Sequence, residues 1–419
     1  MRLFFFTFVV AKQHEKGMNR NFVAKRVETM AESETLAMAR KSRELKALGK
    51  DIISLSLGEP DFDTPEFIKA AGIQAIKDNH SHYTPVQGYA DLLDAISVKL
   101  KRDQGLDYGP KQIVASNGAK QSIANLCLAV LNPGDEVLVP APYWVSYREI
   151  IRLAGAVPIE LSAGHASGFK VTAQQLESAI GSKTKMLLFS SPCNPTGSML
   201  TEAELREWAE MLQKYPSILV VSDEIYEHIA FDQPHLSIAT MPGMYDRTVI
   251  VNGMSKGFAM TGWRLGYLAG PADVIDACLK IQGQLTSAPS SIAQKAAIPG
   301  LLAEPSAIGF MVDAFKDRRD KMYEAIKTIP GFVLSKPPGA FYLFPDISEC
   351  LRWSWDGKGI KDAQDFCSLM LEEAGVAMVP GDAFGAPGCV RLSYAADWPI
   401  LEDAVRRIKQ VIERYHAIG

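Results

Sequence analysis

Residues 248–270 read TVIVNGMSKGFAMTGWRLGYLAG, and the fold class follows from how this stretch divides. Thr248-Val249-Ile250-Val251 is an apolar, β-branched run of strand length. It empties into Asn252-Gly253-Met254-Ser255-Lys256-Gly257, where flanking glycines let backbone approach a ligand closely. A lysine at the end of a buried strand is costly unless something neutralises or uses it. Eight residues on, Arg264 sits in Thr261-Gly262-Trp263-Arg264-Leu265-Gly266, a second loop before another apolar run. An amine able to form an imine, the Ser255 hydroxyl beside it and a nearby arginine suit a cofactor carrying both an aldehyde and a phosphate. Taken alone, Lys256 and Arg264 would equally be ordinary surface cations. The rest of the chain decides.

Upstream, strands and helices alternate. Gln112 to Ser116 is a strand leading through Asn117-Gly118-Ala119-Lys120 into an apolar helix. Asp135 to Pro140 is a strand followed by Pro142-Tyr143-Trp144-Val145 and a helix to about Gly155. Lys185 to Ser191 runs into Pro192-Cys193-Asn194-Pro195-Thr196-Gly197, then a helix with Thr201 and Glu204 in capping-box spacing. Ile218 to Glu224 is a strand with acids at its C-terminal end. Such alternation predicts an α/β fold, a mostly parallel sheet with helices on both faces. Towards the N-terminus, residues 26–50 are rich in helix formers and Asp51 to Leu57 is a short strand. Thr64-Pro65 is expected to cap the next helix, and 90–104 forms another. Beyond about residue 300 the pattern changes to a smaller α+β region. It has a long helix over 304–328, a helix at 361–375, a last strand at Val390 to Tyr394 and an amphipathic helix over about 398–417.

The length of 419 residues predicts two or three domains. A formal charge of −4 without long like-charge blocks gives no footprint for nucleic acid. Six scattered cysteines without a CxxC pair point to reduced thiols, not to a disulfide framework or a zinc knuckle. His80 and His82 stand close but have no partner motif, so no metal is expected. The apolar run at residues 3–11 is too short to span a bilayer. Residues 1–25 are read as an extension outside the fold, with Met18 an alternative start. A cytoplasmic protein, with no membrane partner, is expected.

The predicted strand ends supply, in order, Gly118-Ala119-Lys120, Tyr143-Trp144, Asn194, Asp223 with Tyr226, and Ser255-Lys256 with Arg264. In open α/β sheets ligands bind outside the carboxyl ends of the strands. Each group suits one part of pyridoxal 5'-phosphate. Backbone N–H groups at the Gly118–Lys120 helix start make an anion site, to which Ser255 and Arg264 add donors. Tyr143 offers a face for the pyridine ring, and Asp223 would keep the ring nitrogen protonated. Tyr226 and Asn194 can hydrogen-bond the ring hydroxyl oxygen. Lys256 forms the Schiff base and then moves the proton. Singly these patterns are common, since Asn194-Pro195-Thr196-Gly197 is a turn signal anywhere and Asp223-Glu224 could simply cap a helix. Their joint occurrence at successive strand ends is what carries the reading.

The motifs SLSLGEPDFDTP, HYTPVQG, SNGAKQ, PYWVSY, SPCNPTG, SDEIYEH, VNGMSKGFAMTGWRLGY, GAFYLF and VRLSYA together resemble the class I/II aminotransferases of the fold-type-I pyridoxal-phosphate superfamily. The likeness covers about residues 26–415 and is greatest to the bacterial aspartate aminotransferase subgroup. It implies a large cofactor-binding domain over 61–303 with a mostly parallel seven-stranded sheet. A small C-terminal domain over 304–419 would carry the 26–60 segment packed against it. It also implies a homodimer with shared active sites, in which Tyr83 reaches the phosphate in the neighbouring subunit. Arg391 in VRLSYA is expected to take the substrate α-carboxylate as a bidentate pair. Gly58, Trp144 and Asn194 are expected in the same pocket, with Lys120 for a distal carboxylate. The implied reaction is L-aspartate plus 2-oxoglutarate to oxaloacetate plus L-glutamate, by a ping-pong mechanism. Aromatic, alanine or prephenate-type substrates are the alternatives, although Glu32 departs from relatives that place a basic residue near there. A fold-type-I lyase and a cofactor-binding regulatory module are the remaining readings.

Overall fold

The computed structural model describes residues 22–28, 30, 34–353, 355 and 360–416. The expectations for residues 3–11, Met18 and Glu32 therefore lie outside the described residues. The chain divides into two units between Ala31 and Glu32. In the first, Lys25–Glu28 makes a single helical turn. Everything below concerns the second.

Among the described residues twelve strands follow in chain order: β1 (Ile53–Ser54), β2 (Ile113–Ser116), β3 (Glu136–Ala141), β4 (Val157–Ser162), β5 (Thr184–Ser190), β6 (Leu219–Asp223), β7 (Thr248–Gly253), β8 (Gly266–Ala269), β9 (Tyr342–Leu343), β10 (Val376–Ala377), β11 (Val379–Pro380) and β12 (Val390–Ser393). Seven of them form one sheet in the order β2-β8-β7-β6-β5-β3-β4. Only β8 runs antiparallel to its neighbours. The sheet is the mostly parallel, seven-stranded one expected. Its central strands are apolar on both faces, as a sheet covered by helices on both sides requires. Val220, Val221, Val249, Ile250 and Val251 are all fully buried.

The helices start and stop where local chemistry tells them to. Glu202–Gln213 opens with the predicted capping box, Thr201 Oγ1 accepting from Glu204 N while Glu204 accepts from Thr201 N. Ala90–Gln104 ends on left-handed Gly105. The N-cap expected at Thr64 is not made. The helix is Glu66–Lys77 with Pro65 in the cap position and no side-chain cap bond. The Thr64 hydroxyl is engaged elsewhere, donating to Ala259 O at 2.7 Å and accepting from Trp263 Nε1 at 3.1 Å. It ties the first loop to the one after Lys256.

Two smaller sheets lie towards the C-terminal part, β11-β12-β9 antiparallel and β1 with β10 parallel. They share a core with Phe315, Met322, Trp355, Phe366, Leu401 and Ile408. β1 thus pairs the segment near residue 53 with a strand over 300 residues away in sequence.

Just past β6 the chain is held by a buried polar network. Glu227 is ion-paired with Lys99, and both are nearly inaccessible. Asn252 Nδ2 donates to the same carboxylate at 2.7 Å. Glu224 accepts from Ser237 Oγ at 2.5 Å. The Lys99 ammonium, with further help from His228 and His235, holds Glu227 down to about 2 although burial alone would raise it. Removing one partner of such a pair leaves an uncompensated buried charge. Lys99→Ala is therefore expected to destabilise the protein by about 3–5 kcal/mol, seen as a lowered thermal midpoint. Lys99→Met combined with Glu227→Met should recover most of the loss.

Candidate active site

Five strands of the large sheet deliver their C-terminal ends to one cavity of about 340 Å³. After β2 the chain turns at Gly118, in the left-handed region at φ 83°, and enters helix Ala119–Val130. After β3 comes Trp144, after β5 Asn194, after β6 Tyr226, and after β7 Ser255 and Lys256. β5 and β6 pair so that Ser190 lies beside Asp223. From the other side Gly58, Tyr342 on β9 and Arg391 on β12 close the wall.

Of the residues expected from sequence, Gly58, Ala119, Lys120, Trp144, Asn194, Asp223, Tyr226, Ser255, Lys256, Arg264 and Arg391 all line this cavity. Gly118 backs the wall. A Cβ there would stand 2.5 Å from Arg264 Nη2, so only glycine lets the guanidinium lie across the helix start. Arg264 itself occupies the left-handed region at φ 56°, which costs roughly 1–2 kcal/mol for a residue with a Cβ. Its guanidinium donates to Thr261 O and Asn117 O. Tight backbone packing fixes the relation of these two loops. A Cβ on Gly266 would fall 2.4 Å from Ala119 N.

One expectation is corrected. Tyr143 does not face the cavity. It is 2% exposed and packs in the apolar cluster between sheet and helices, against Gly385. Its neighbour Trp144 lines the cavity, and Lys120 Nζ lies 4.9 Å over the indole ring. Tyr83, expected to act in a neighbouring subunit's site, lies outside this cavity on a separate surface loop and is 99% exposed.

Asp223 and Arg391 are buried and Lys256 is half-buried, yet the three are not paired with one another. Lys256 Nζ donates to Gly58 O at 2.5 Å. Burial lowers its amine to about 8. Asp223 is buried and lifted to about 6 by loss of water, although Tyr147 donates to its Oδ2 at 2.7 Å and Ile225 N to Oδ1 at 3.2 Å. Arg391 donates to Asn194 Oδ1 at 2.8 Å and Ser56 O at 2.6 Å, and its Nε has no partner. Of its five N–H donors, three remain. Lys120 is lowered by burial and then by Arg264.

Sequence reasoning overlooked Tyr147 and Tyr342. Both stand inside quoted motifs, yet no spacing shows that Tyr147 reaches under β6 or that Tyr342 bonds Tyr226 at 2.7 Å. Thr35, Leu36 and Glu59 also line the cavity.

A flat cofactor with an aldehyde and a phosphate fits these groups. The helix start at Ala119 and Lys120, with Ser255 and Arg264, suits the phosphate, and the Trp144 face suits the ring. Asp223 suits a protonated ring nitrogen, and the Lys256 amine suits the aldehyde. The unpartnered buried Ser190 Oγ and Arg391 Nε show that the cavity wall is built for something it does not itself supply.

Comparison with known proteins agrees. The profile of a family described as aminotransferase class I and II matches residues 50–408. The bifunctional aspartate aminotransferase and glutamate/aspartate-prephenate aminotransferase of Petunia hybrida is 49% identical, over 92% of this chain and 82% of its own. The aspartate aminotransferase of Rhizobium meliloti superposes with a TM-score of 0.91 at 39% identity, covering 94% of this chain and 99% of that one. That of Thermus thermophilus, solved with maleate, gives 0.88 at 37%, over 93% and 100%.

Only the neutral amine attacks an aldehyde. With Lys256 at about 8, covalent capture of pyridoxal phosphate by the apo-protein should speed up about tenfold per pH unit below that value and level off above it. Stopped-flow absorbance measures this. Lys256→Ala should leave no borohydride-fixed cofactor on any peptide.

Proposed function

The chain belongs to the class I and II aminotransferases, and from that membership we propose that it transfers the amino group of L-aspartate to 2-oxoglutarate. The products are oxaloacetate and L-glutamate, formed in two half-reactions at one cavity. When bound, pyridoxal 5'-phosphate supplies an aldehyde that links to amines and a ring that withdraws electrons from the carbon beside them. The chain does the rest.

Lys256 would hold the cofactor, and its amine would take the proton from the substrate α-carbon and carry it to the carbon on the other side of the shared nitrogen. Asp223, oriented by Tyr147, keeps a proton on the ring nitrogen. A cation there reverses the burial effect that favours the neutral acid when the carboxyl is alone. Trp144 covers the ring, while Tyr226 and Asn194 serve its oxygen. The backbone at Gly118, Ala119 and Lys120, with Ser255 and Arg264, holds the phosphate. Arg391 receives the α-carboxylate on its free N–H donors, and Asn194 and Ser56 fix the guanidinium plane. The Lys120 ammonium meets the distal carboxylate.

The observation that carries this reading is the meeting of Lys256, Asp223 and Arg391 in one cavity, with Lys120 as a further cation. The maleate bound to the Thermus neighbour is a dicarboxylate of similar span to aspartate. A prephenate-type acceptor is the second reading, favoured by the name of the Petunia relative.

The working unit is a homodimer in this reading, and the exposure of Tyr83 is compatible with a reach into a partner copy's site. In this reading the large domain spans 61–303 and the small one 304–419, with the segment around β1 joined to the latter, as the β1–β10 pairing supports. Six free cysteines suit a reducing, cytoplasmic setting.

A donor–acceptor matrix with pyridoxal phosphate present should give its highest turnover for aspartate with 2-oxoglutarate. Absence of turnover with any dicarboxylic donor would eliminate the assignment. Arg391→Lys should raise KM for aspartate by roughly 10–100-fold, the range set by one or two charge-assisted hydrogen bonds. Cofactor retention should be unchanged. An unaltered KM would show that Arg391 is not the carboxylate site.

A further inference from the structure

Tyr342 touches both halves of the site. Its ring centre lies 4.6 Å from the Arg391 guanidinium carbon, and its hydroxyl is 2.7 Å from that of Tyr226. Tyr342 and Tyr226 are 0% and 3% exposed. A phenol has one hydrogen to donate and lone pairs to accept with. If Tyr226 donates its hydrogen to the cofactor's ring oxygen, the 2.7 Å contact requires Tyr342 to donate and Tyr226 to accept.

We propose that Tyr342 is a positioning residue that links the carboxylate-binding Arg391 to Tyr226 and holds Tyr226 as a hydrogen-bond donor toward the cofactor. This rests on the aminotransferase reading above.

Donation into the Tyr226 oxygen polarises its O–H and strengthens the next bond in the chain. The guanidinium over the Tyr342 ring draws electron density from that phenol and improves it as a donor. Gly58 leaves the space that the hydroxyl needs, because a Cβ there would lie 2.3 Å from the Tyr342 oxygen. Phe341 packs against both rings and keeps the pair in register. The charged groups acting on the pair are Arg391 from β12 and Asp223 from β6, with Lys256 beyond them. Burial keeps both phenols protonated, so the pair remains a hydrogen-bond chain across the working pH range.

The test is a pH titration of the visible absorption of the holoenzyme. A weaker donor leaves more negative charge on the cofactor's ring oxygen, which holds the chromophore's proton more firmly and raises the midpoint. Tyr342→Phe keeps the ring under Arg391 but removes the hydroxyl. It should raise the midpoint by ~0.5–1 unit, the size of one neutral hydrogen bond. Tyr342→Leu, a second way of removing the hydroxyl, should move it in the same direction and should also raise KM for aspartate. In a Tyr226→Phe background, Tyr342→Phe should add no further shift. Unmoved midpoints in both Tyr342 variants, or a full additive shift in the double variant, would overturn the proposal. A wild-type holoenzyme with no titrating visible band would instead overturn the aminotransferase reading and this proposal with it.

Discussion

Three charges drawn largely out of water without pairing to one another are the constraint on which this molecule turns. Asp223 and Arg391 are buried and Lys256 is half-buried in one cavity, and no ion pair joins any two of them. Taking such groups out of solvent is unfavourable unless partners meet them. Here the partners are partial: a carbonyl for the amine, a phenol and a backbone N–H for the carboxylate, a carbonyl and an amide oxygen for the guanidinium. The remaining valence is directed at what binds. An amine near neutrality and a carboxyl lifted to about 6 are the result of the same burial acting on opposite charges. Functional sites commonly hold such locally unfavourable arrangements, supported by stability elsewhere.

That support comes from the parallel sheet. Its central strands are apolar along most of their length, and Asp223 stands at the carboxyl end of β6, beside the crevice where such sheets bind ligands. Close backbone approach sharpens the placement. Gly253 and Gly266 let β7 and β8 meet, and Gly266 in turn seats the start of the Ala119–Val130 helix. The loop carrying Lys256 and the helix start facing the phosphate are thereby set relative to each other by main chain, which moves less than side chains do. Behind Asp223, the Lys99–Glu227 pair and Asn252 anchor the following segment with a network whose members satisfy one another.

The opposite wall is assembled from pieces distant in sequence. Ser56 and Gly58 come from just after β1, Tyr342 from β9 and Arg391 from β12. Arg391 lies against the Tyr342 and Phe384 rings, a setting that suits a planar, weakly hydrated cation better than an ammonium. The Tyr342–Tyr226 contact joins this wall to the sheet. It makes the carboxylate end and the ring end of the site a single hydrogen-bonded and stacked unit.

Much of this is legible in the residues alone, because it depends on local rules. β-Branched runs ending in polar loops predict the strands and the edge on which ligands bind, and Thr201 with Glu204 predicts its capping box. The motif order places Lys256, Asp223, Asn194 and Arg391 in one pocket, where the structure also has them. What sequence cannot decide is which of two neighbours turns inward. Tyr143 and Trp144 are equally aromatic, yet the chain leaving β3 buries the first in the core and turns the second to the cavity. Thr64 has every local reason to cap a helix, but two long-range hydrogen bonds claim its hydroxyl. The helix Ala272–Leu285 has no side-chain cap, and Ser291–Leu302, though capped by Ser290, carries Pro299 inside it. Tyr147 and Tyr342 gain their importance from contacts spanning 76 and 116 residues. Pattern and propensity act over a few residues, so they determine elements and the chemistry those elements offer; the partner of each side chain is decided only when distant segments pack.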